Sequence, residues 1–248
     1  MSATTTFGAG GGEPYARALQ TAGLLTLVPD CCDDPDCSHG TVADRRHDRG
    51  GPAGDGGPSA RTGTLVMDVS RWSASADATD MSLIEEGSGP LLDVGCGPGR
   101  MVAAALTAGY SALGVDVSQA AVDVARGAGI PALRASVFDP LPHEGEWMTV
   151  LLVDGNIGIG GDPTALLTRC AELLAPDGCL LVETANDPLT DRSFTGTIVG
   201  DEGYVSDSFA WSEIGSEALA RRAPDAALAV SESWCRDGRS FVRLSPLG

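Results

Sequence analysis

A chain of 248 residues can bury a substantial core and suits one large domain, with or without a small appendage. Its formal net charge of −18 repels phosphate backbones and anionic lipid surfaces, and the one basic cluster (Arg45, Arg46, Arg49) is interleaved with Asp44 and Asp48, so neither nucleic acid nor membrane is the expected partner. No run of eighteen apolar residues occurs and the start, MSATTTFGAGGGEP, is not a basic segment followed by an apolar one, so a cytoplasmic protein is expected.

The opening thirteen residues, rich in Ser, Thr and Gly, are expected to be disordered. From Pro14 to Val28 a modest helical pattern places Tyr15, Ala18, Leu19, Ala22 and Leu25 at spacings of three and four. The seven cysteines, an odd number without a secretory leader, argue against a disulfide framework. Four of them, Cys96, Cys170, Cys179 and Cys235, read as small buried hydrophobes. The others lie in CCDDPDCSHG, where Cys31, Cys32, Cys37 and His39 could face a zinc ion or a thiophilic substrate, but adjacent cysteines and the lack of a second CxxC make the spacing poor and no metal is expected. Residues 40–63 carry too much Gly, Pro and charge to bury a core, which places a boundary between an N-terminal segment 1–64 and a domain over 65–248.

Order resumes at Leu65 with Trp72 and an acid-spaced helix over Ala76 to Glu85. Residues 90–116, PLLDVGCGPGRMVAAALTAGYSALGVD, then read as a βαβ unit. Leu91 to Val94 end a buried strand, a turn holds Gly95, Gly97 and Gly99, a helix runs from Arg100 to Ala108, and a second strand from Ala112 to Val115 ends on Asp116. Such a turn aims helix N–H groups above the strand ends, and Asp116 lies about twenty residues past the first Gly, where nucleotide-binding βαβ folds place a ribose-holding acid. The pattern is GxGxG with Asp93 two residues before it; the dinucleotide fingerprint GxGxxG would need Gly where Arg100 stands.

DVGCGPG thereby resembles the first motif, (D/E)xGxGxG, of the class I S-adenosylmethionine-dependent methyltransferases. The resemblance implies an α/β fold, a Rossmann-like doubly wound seven-stranded sheet in three αβα layers, mostly parallel with a C-terminal antiparallel hairpin. It implies S-adenosylmethionine as cofactor, with Asp93 near the methionyl amine, Gly95, Cys96, Gly97 and Gly99 in the turn, and Asp116 with Val117 at the ribose. It also makes Trp72, with Arg71, a candidate lid over the site, although burial between helix and sheet accounts for a Trp equally well.

Further along, Ser118 caps a helix running to about Ala128, and IPALRAS makes a short strand. At its end stand Ser136, Val137 and Phe138. The family commonly has an acid at the position of Ser136, and the resemblance implies adenine contacts from the Val137 backbone and the Phe138 ring. His143, in DPLPHEGEW, is a candidate base, though a loop histidine is more often simply solvated. The apolar strand Met148–Val153 ends on Asp154, Gly155 and Asn156, which the resemblance places facing the transferable methyl; the same Asp and Asn could merely shape a tight turn. Asp162 and Pro163 open a helix, a Pro-Asp-Gly turn leads to a strand over Cys179 to Thr184, and 187–210, poor in apolar residues, could line a substrate pocket. WSEIGSEALARRA reads as a helix capped by Ser212, and two strands joined at Asp237-Gly238 close the chain.

The function expected is methyl transfer to an O, N, C or S atom of a small molecule. A nicotinamide-dependent oxidoreductase and a non-catalytic cofactor-binding regulator are the alternatives, since both can use the same βαβ unit.

Overall fold

The computed structural model describes residues 14–21, 23–30, 64–201 and 203–247. The Cys31, Cys32, Cys37 and His39 cluster and the Gly/Pro-rich stretch lie outside these residues; among the described residues no group of three or more His, Cys, Asp or Glu could hold a metal ion. No described helix is long and apolar enough to cross a membrane.

Strands β3 (Leu91–Val94), β4 (Ala112–Asp116), β5 (Ala132–Arg134), β6 (Trp147–Leu152) and β7 (Leu174–Thr184) run parallel. With β10 (Leu228–Arg236) and β11 (Arg239–Pro246) they form a seven-stranded sheet in the order β10-β11-β7-β6-β3-β4-β5. The hairpin β10–β11 is antiparallel and pairs through β11 with β7. Its turn needs left-handed backbone at both central residues, and Asp237 and Gly238 supply it at φ 48° and 76°.

Alternation along the strands feeds two layers. Leu91, Leu151, Leu181 and Phe241 pack against α3 (Ala78–Glu85) and α4 (Arg100–Thr107). Their neighbours Leu92, Leu152, Val182 and Val242 face α6 (Pro163–Leu173) and α7 (Ser216–Arg222). Each fully buried aliphatic chain contributes roughly 2 kcal/mol by leaving water. Helix α5 (Gln119–Gly127) packs beside α4 through Val122 and Ala125, and Ser118 Oγ accepts from Ala121 N as its cap. The fold expected from the resemblance is present in full. From β3 the chain winds outward through β4 and β5, then returns to β6 on the other side of β3, so a crevice opens at the carboxyl ends of β3, β4 and β6.

A second, antiparallel sheet has the order β2-β1-β8-β9, from β1 (Leu24–Pro29), β2 (Leu65–Asp68), β8 (Asp191–Gly200) and β9 (Phe209–Ile214). It revises three expectations. The helix expected over Pro14 to Val28 ends at Thr21 (α1, Pro14–Thr21), because from Leu24 the burial alternates: Leu25 and Leu27 are buried while Leu24 is exposed. Residues 187–210, expected to line a substrate pocket, hold β8 and the start of β9, and none of the described ones lines the crevice. The helix expected to begin at Ser212 begins at Ser216 instead, since Phe209 and Trp211 alternate inward and Ser212 Oγ bonds Ser193 Oγ of β8 at 2.8 Å rather than capping. A short helix, α2 (Val69–Ser73), carries Trp72 against the apolar cluster that includes Tyr15, Leu25, Ile198 and Trp211.

Candidate functional site

The crevice is a cavity of about 830 Å³ including its open mouth. Its floor is the turn after β3 and the ends of β4 and β6; its roof is Tyr15 of α1, Trp72 of α2 and Trp211 of β9.

The turn is braced by β4. The amides of Gly95 and Cys96 donate to Val115 O at 2.8 and 3.1 Å, and Gly97 N donates to Asp116 Oδ2 at 2.8 Å. These three turn amides are therefore spent on the protein itself. Gly95 sits at φ 73°, and a Cβ there would come within 2.7 Å of Asn156 Nδ2. Cys96 is packed against Gly114, and its thiol is raised well above the ordinary value by burial first and by the Asp93 and Asp116 charges next, so it is an inert wall. Gly99, at φ 94°, starts α4 and does not line the cavity.

Asp93 lines the cavity at 2% exposure with no ion pair or hydrogen bond to its carboxylate among the described residues. Burial raises its pKa to about 7; Asp154, Asp116 and Asp80 push the same way and Arg100 opposes them. Asp116 also lines the cavity. It accepts from Gly97 N and, at 2.8 Å, from Ser118 N, and burial still raises it above the usual carboxylate range. Val117, Ser136 and Val137 line the same wall, but the Val137 carbonyl is taken by Arg169 Nε at 2.9 Å, and Ser136 Oγ accepts from Phe138 N within its own turn. Phe138 is 46% exposed, lies against Gly160 and is not in the lining, so the structure does not bring it to the cavity.

Two of the three candidate catalytic groups reach the cavity. His143 does not: it is exposed on its loop, 3.0 Å from Glu146 and edge-on to Trp147. Asn156 donates Nδ2 to Val94 O at 2.8 Å and Gly95 O at 3.0 Å, so it ties the end of β6 to the turn after β3. Asp154, at φ 55°, is held by a buried network that the sequence reading missed. Arg100 bonds both Asp80 and Asp154. Arg239 reaches Glu183 through two bonds of 2.8 Å, Asp80 at 2.7 Å and Asp154 at 3.8 Å. Glu183 Oε2 accepts the Asp154 amide at 2.8 Å. Burial works to raise Asp80, but bonds from Arg100 and Arg239 outweigh it and hold it below its ordinary value. Asp154 is raised, burial leading and Arg100 opposing. Five chain segments thus meet on one cluster of alternating charges.

Tyr15 is also new. It is 4% exposed and meets Trp72 edge to face at 5.7 Å; its hydroxyl would lie 3.1 Å from a Cβ on Gly97. The apolar stripe of α1 was the only sequence signal for it.

A family model described as a methyltransferase domain matches residues 72–197, just over half of the chain. The ubiquinone biosynthesis O-methyltransferase of Cereibacter sphaeroides is 33% identical over 117 residues, which are 45% of this chain and 47% of that protein. The chain thus spans about half the length of the curated relatives it matches. Among solved structures, a SAM-dependent methyltransferase from Bacteroides fragilis in complex with S-adenosyl-L-homocysteine aligns at TM-score 0.69 and 19% identity, over 98% of each chain. The 1,6-didemethyltoxoflavin-N1-methyltransferase of Burkholderia thailandensis aligns at TM-score 0.53 and 17% identity, over 72% of this chain and 81% of that one. These two are likenesses of fold.

Proposed function

From the premise that the chain belongs to the methyltransferase domain family, we propose that it is an S-adenosylmethionine-dependent methyltransferase acting on a small molecule. The carrying observation is Asp93: a buried carboxylate that lines the cavity with no cation bonded to it among the described residues, two residues before the Gly turn and one strand from Asp116. A buried acid left without a partner is costly, and a ligand ammonium in the cavity would relieve that cost. Asp116 presents acceptor oxygens for a diol. The residues therefore fit the cofactor, and they fit a dinucleotide poorly, because the third Gly position holds Arg100, whose guanidinium is bound into the charged network.

S-adenosylmethionine, when bound, supplies a methyl group on a sulfonium that an acceptor lone pair displaces in line. The protein's share is alignment and exclusion of water. Asn156 and Asp116 fix the turn from two sides, the Asp80–Arg100–Asp154–Arg239–Glu183 network fixes the end of β6, and Tyr15, Trp72 and Trp211 close the roof. Asp154, engaged by two arginines, serves position better than proton transfer. The chain has no lysine, and no histidine lines the cavity among the described residues, so neither residue type is offered there as a base. In this reading residues 65–248 make the methyltransferase unit, with Pro14–Pro29 contributing to its roof, and the protein works in the cytoplasm, with the −18 charge disfavouring nucleic acid as substrate.

Calorimetry with S-adenosylhomocysteine tests the reading. Wild type binds, and Asp116→Ala weakens binding by about tenfold or more; absence of binding by wild type would sink the assignment.

A further inference from the structure

The roof and floor of the cavity differ in chemistry. The floor presents the carboxylates of Asp93, Asp116 and Asp154. The roof is aromatic: Tyr15 and Trp72 meet at 5.7 Å with planes at 77°, and Trp211 stands beside Phe209 at 6.0 Å. The roof is also fixed. Gly158, in the 3-10 turn Asn156–Gly161 that follows β6, lies so close to Trp211 that a Cβ would come within 2.5 Å of the indole and 2.4 Å of Ser212 O. Trp211 is therefore seated on the turn that carries Asn156, directly after Asp154. Ile159 of the same turn joins Tyr15, Trp72 and Trp211 in one apolar cluster.

Charge narrows the occupant further. The one cationic side chain lining the cavity, among the described residues, is Arg100, and its two terminal nitrogens are committed to Asp80 and Asp154. An acceptor with a carboxylate or phosphate would enter beside three carboxylates with no free protein cation among the described lining residues to receive it. Desolvating such an anion unpaired is strongly unfavourable. A flat uncharged ring meets aromatic faces and loses little on leaving water.

Resting on the methyltransferase reading, we propose that the acceptor is an uncharged aromatic molecule, held under the Tyr15, Trp72 and Trp211 roof beside the turn after β6. The anionic floor belongs to the cofactor, and the aromatic roof selects the acceptor by ring shape and by the absence of negative charge.

The test uses three bicyclic probes on the full chain: 2-naphthol, 2-naphthoate and decahydro-2-naphthol, titrated calorimetrically with and without saturating S-adenosylhomocysteine. The expected result is that 2-naphthol binds about tenfold or more tightly than either of the others. Naphthoate within tenfold of 2-naphthol removes the charge argument, and the saturated ring within tenfold removes the aromatic one; either overturns the proposal, as does failure of 2-naphthol to bind. Trp211→Ala should abolish the preference. Should that variant not fold, Trp72→Leu, on the half-buried side of the roof, is expected to reduce it by about threefold or more, and an unchanged preference in the folded variant counts against the roof. Ring preference is read on the ligand-free protein as well. Failure of S-adenosylhomocysteine binding, which would remove the methyltransferase reading, is therefore distinguishable from failure of the acceptor proposal.

Discussion

Asp93 should make the protein less stable as pH rises through the neutral range, and the size of the effect follows from its burial. Its carboxyl lies near pKa 7 against a usual value of 3.8, a displacement worth roughly 4 kcal/mol. The folded-state pKa is raised, so the folded chain keeps a proton that the unfolded chain has already lost. The resulting stability is fully present below the unfolded value, shrinks from about pH 4 upward, and is gone above about pH 7. Between pH 5 and pH 8 this one group removes roughly 2.5 kcal/mol. Asp93→Asn keeps the shape and removes the titration. Chemical denaturation of both proteins at pH 5, 6, 7 and 8 reads the effect, because groups that do not interact with Asp93 cancel in the difference. The variant should gain on wild type as pH rises, ending more stable at pH 8. Parallel stability profiles across the range would refute the placement of a buried, partnerless carboxylate at the cavity. The same variant should lose S-adenosylhomocysteine affinity by about tenfold or more, since the charge offered to the ammonium is gone.

Arg239→Met leaves Asp80 and Asp154 with Arg100 alone and takes from Glu183 its one cation among the described residues, and should cost roughly 3–5 kcal/mol in urea denaturation; a loss below about 1 kcal/mol would mean the network is not held as described. His143→Ala should leave S-adenosylhomocysteine affinity and any turnover within about twofold of wild type, because the ring is exposed and outside the cavity. A drop of about tenfold or more in turnover would restore it as a base.

The β3–α4–β4 unit was legible because its signals are local: Gly in the turn, an Ala-rich helix, an acid at each strand end. The parallel strands were legible because both faces are covered, so Leu91–Val94 and Trp147–Leu152 read as apolar runs. The second sheet was not. It joins Leu24–Pro29, Leu65–Asp68 and Asp191–Ile214, and no window of sequence shows that these pair. Ser212 looked like a helix cap, yet its hydroxyl bonds across strands, a choice made by tertiary pairing. Arg100 was visible only as a missing glycine. Its partners Asp80 and Asp154, and the Arg239 and Glu183 that join them, are spread along most of the chain, so the network that fixes Asp154 had no sequence signature. Tyr15 likewise gains its place only because α1 folds over the Gly turn.

A crystal structure of the S-adenosylhomocysteine complex tests the central claim most directly. The account predicts the ligand in the cavity at the ends of β3 and β4, its amino group within hydrogen-bond distance of Asp93 and its ribose hydroxyls on Asp116. Ligand bound elsewhere, or seated with Asp93 and Asp116 untouched, would contradict it.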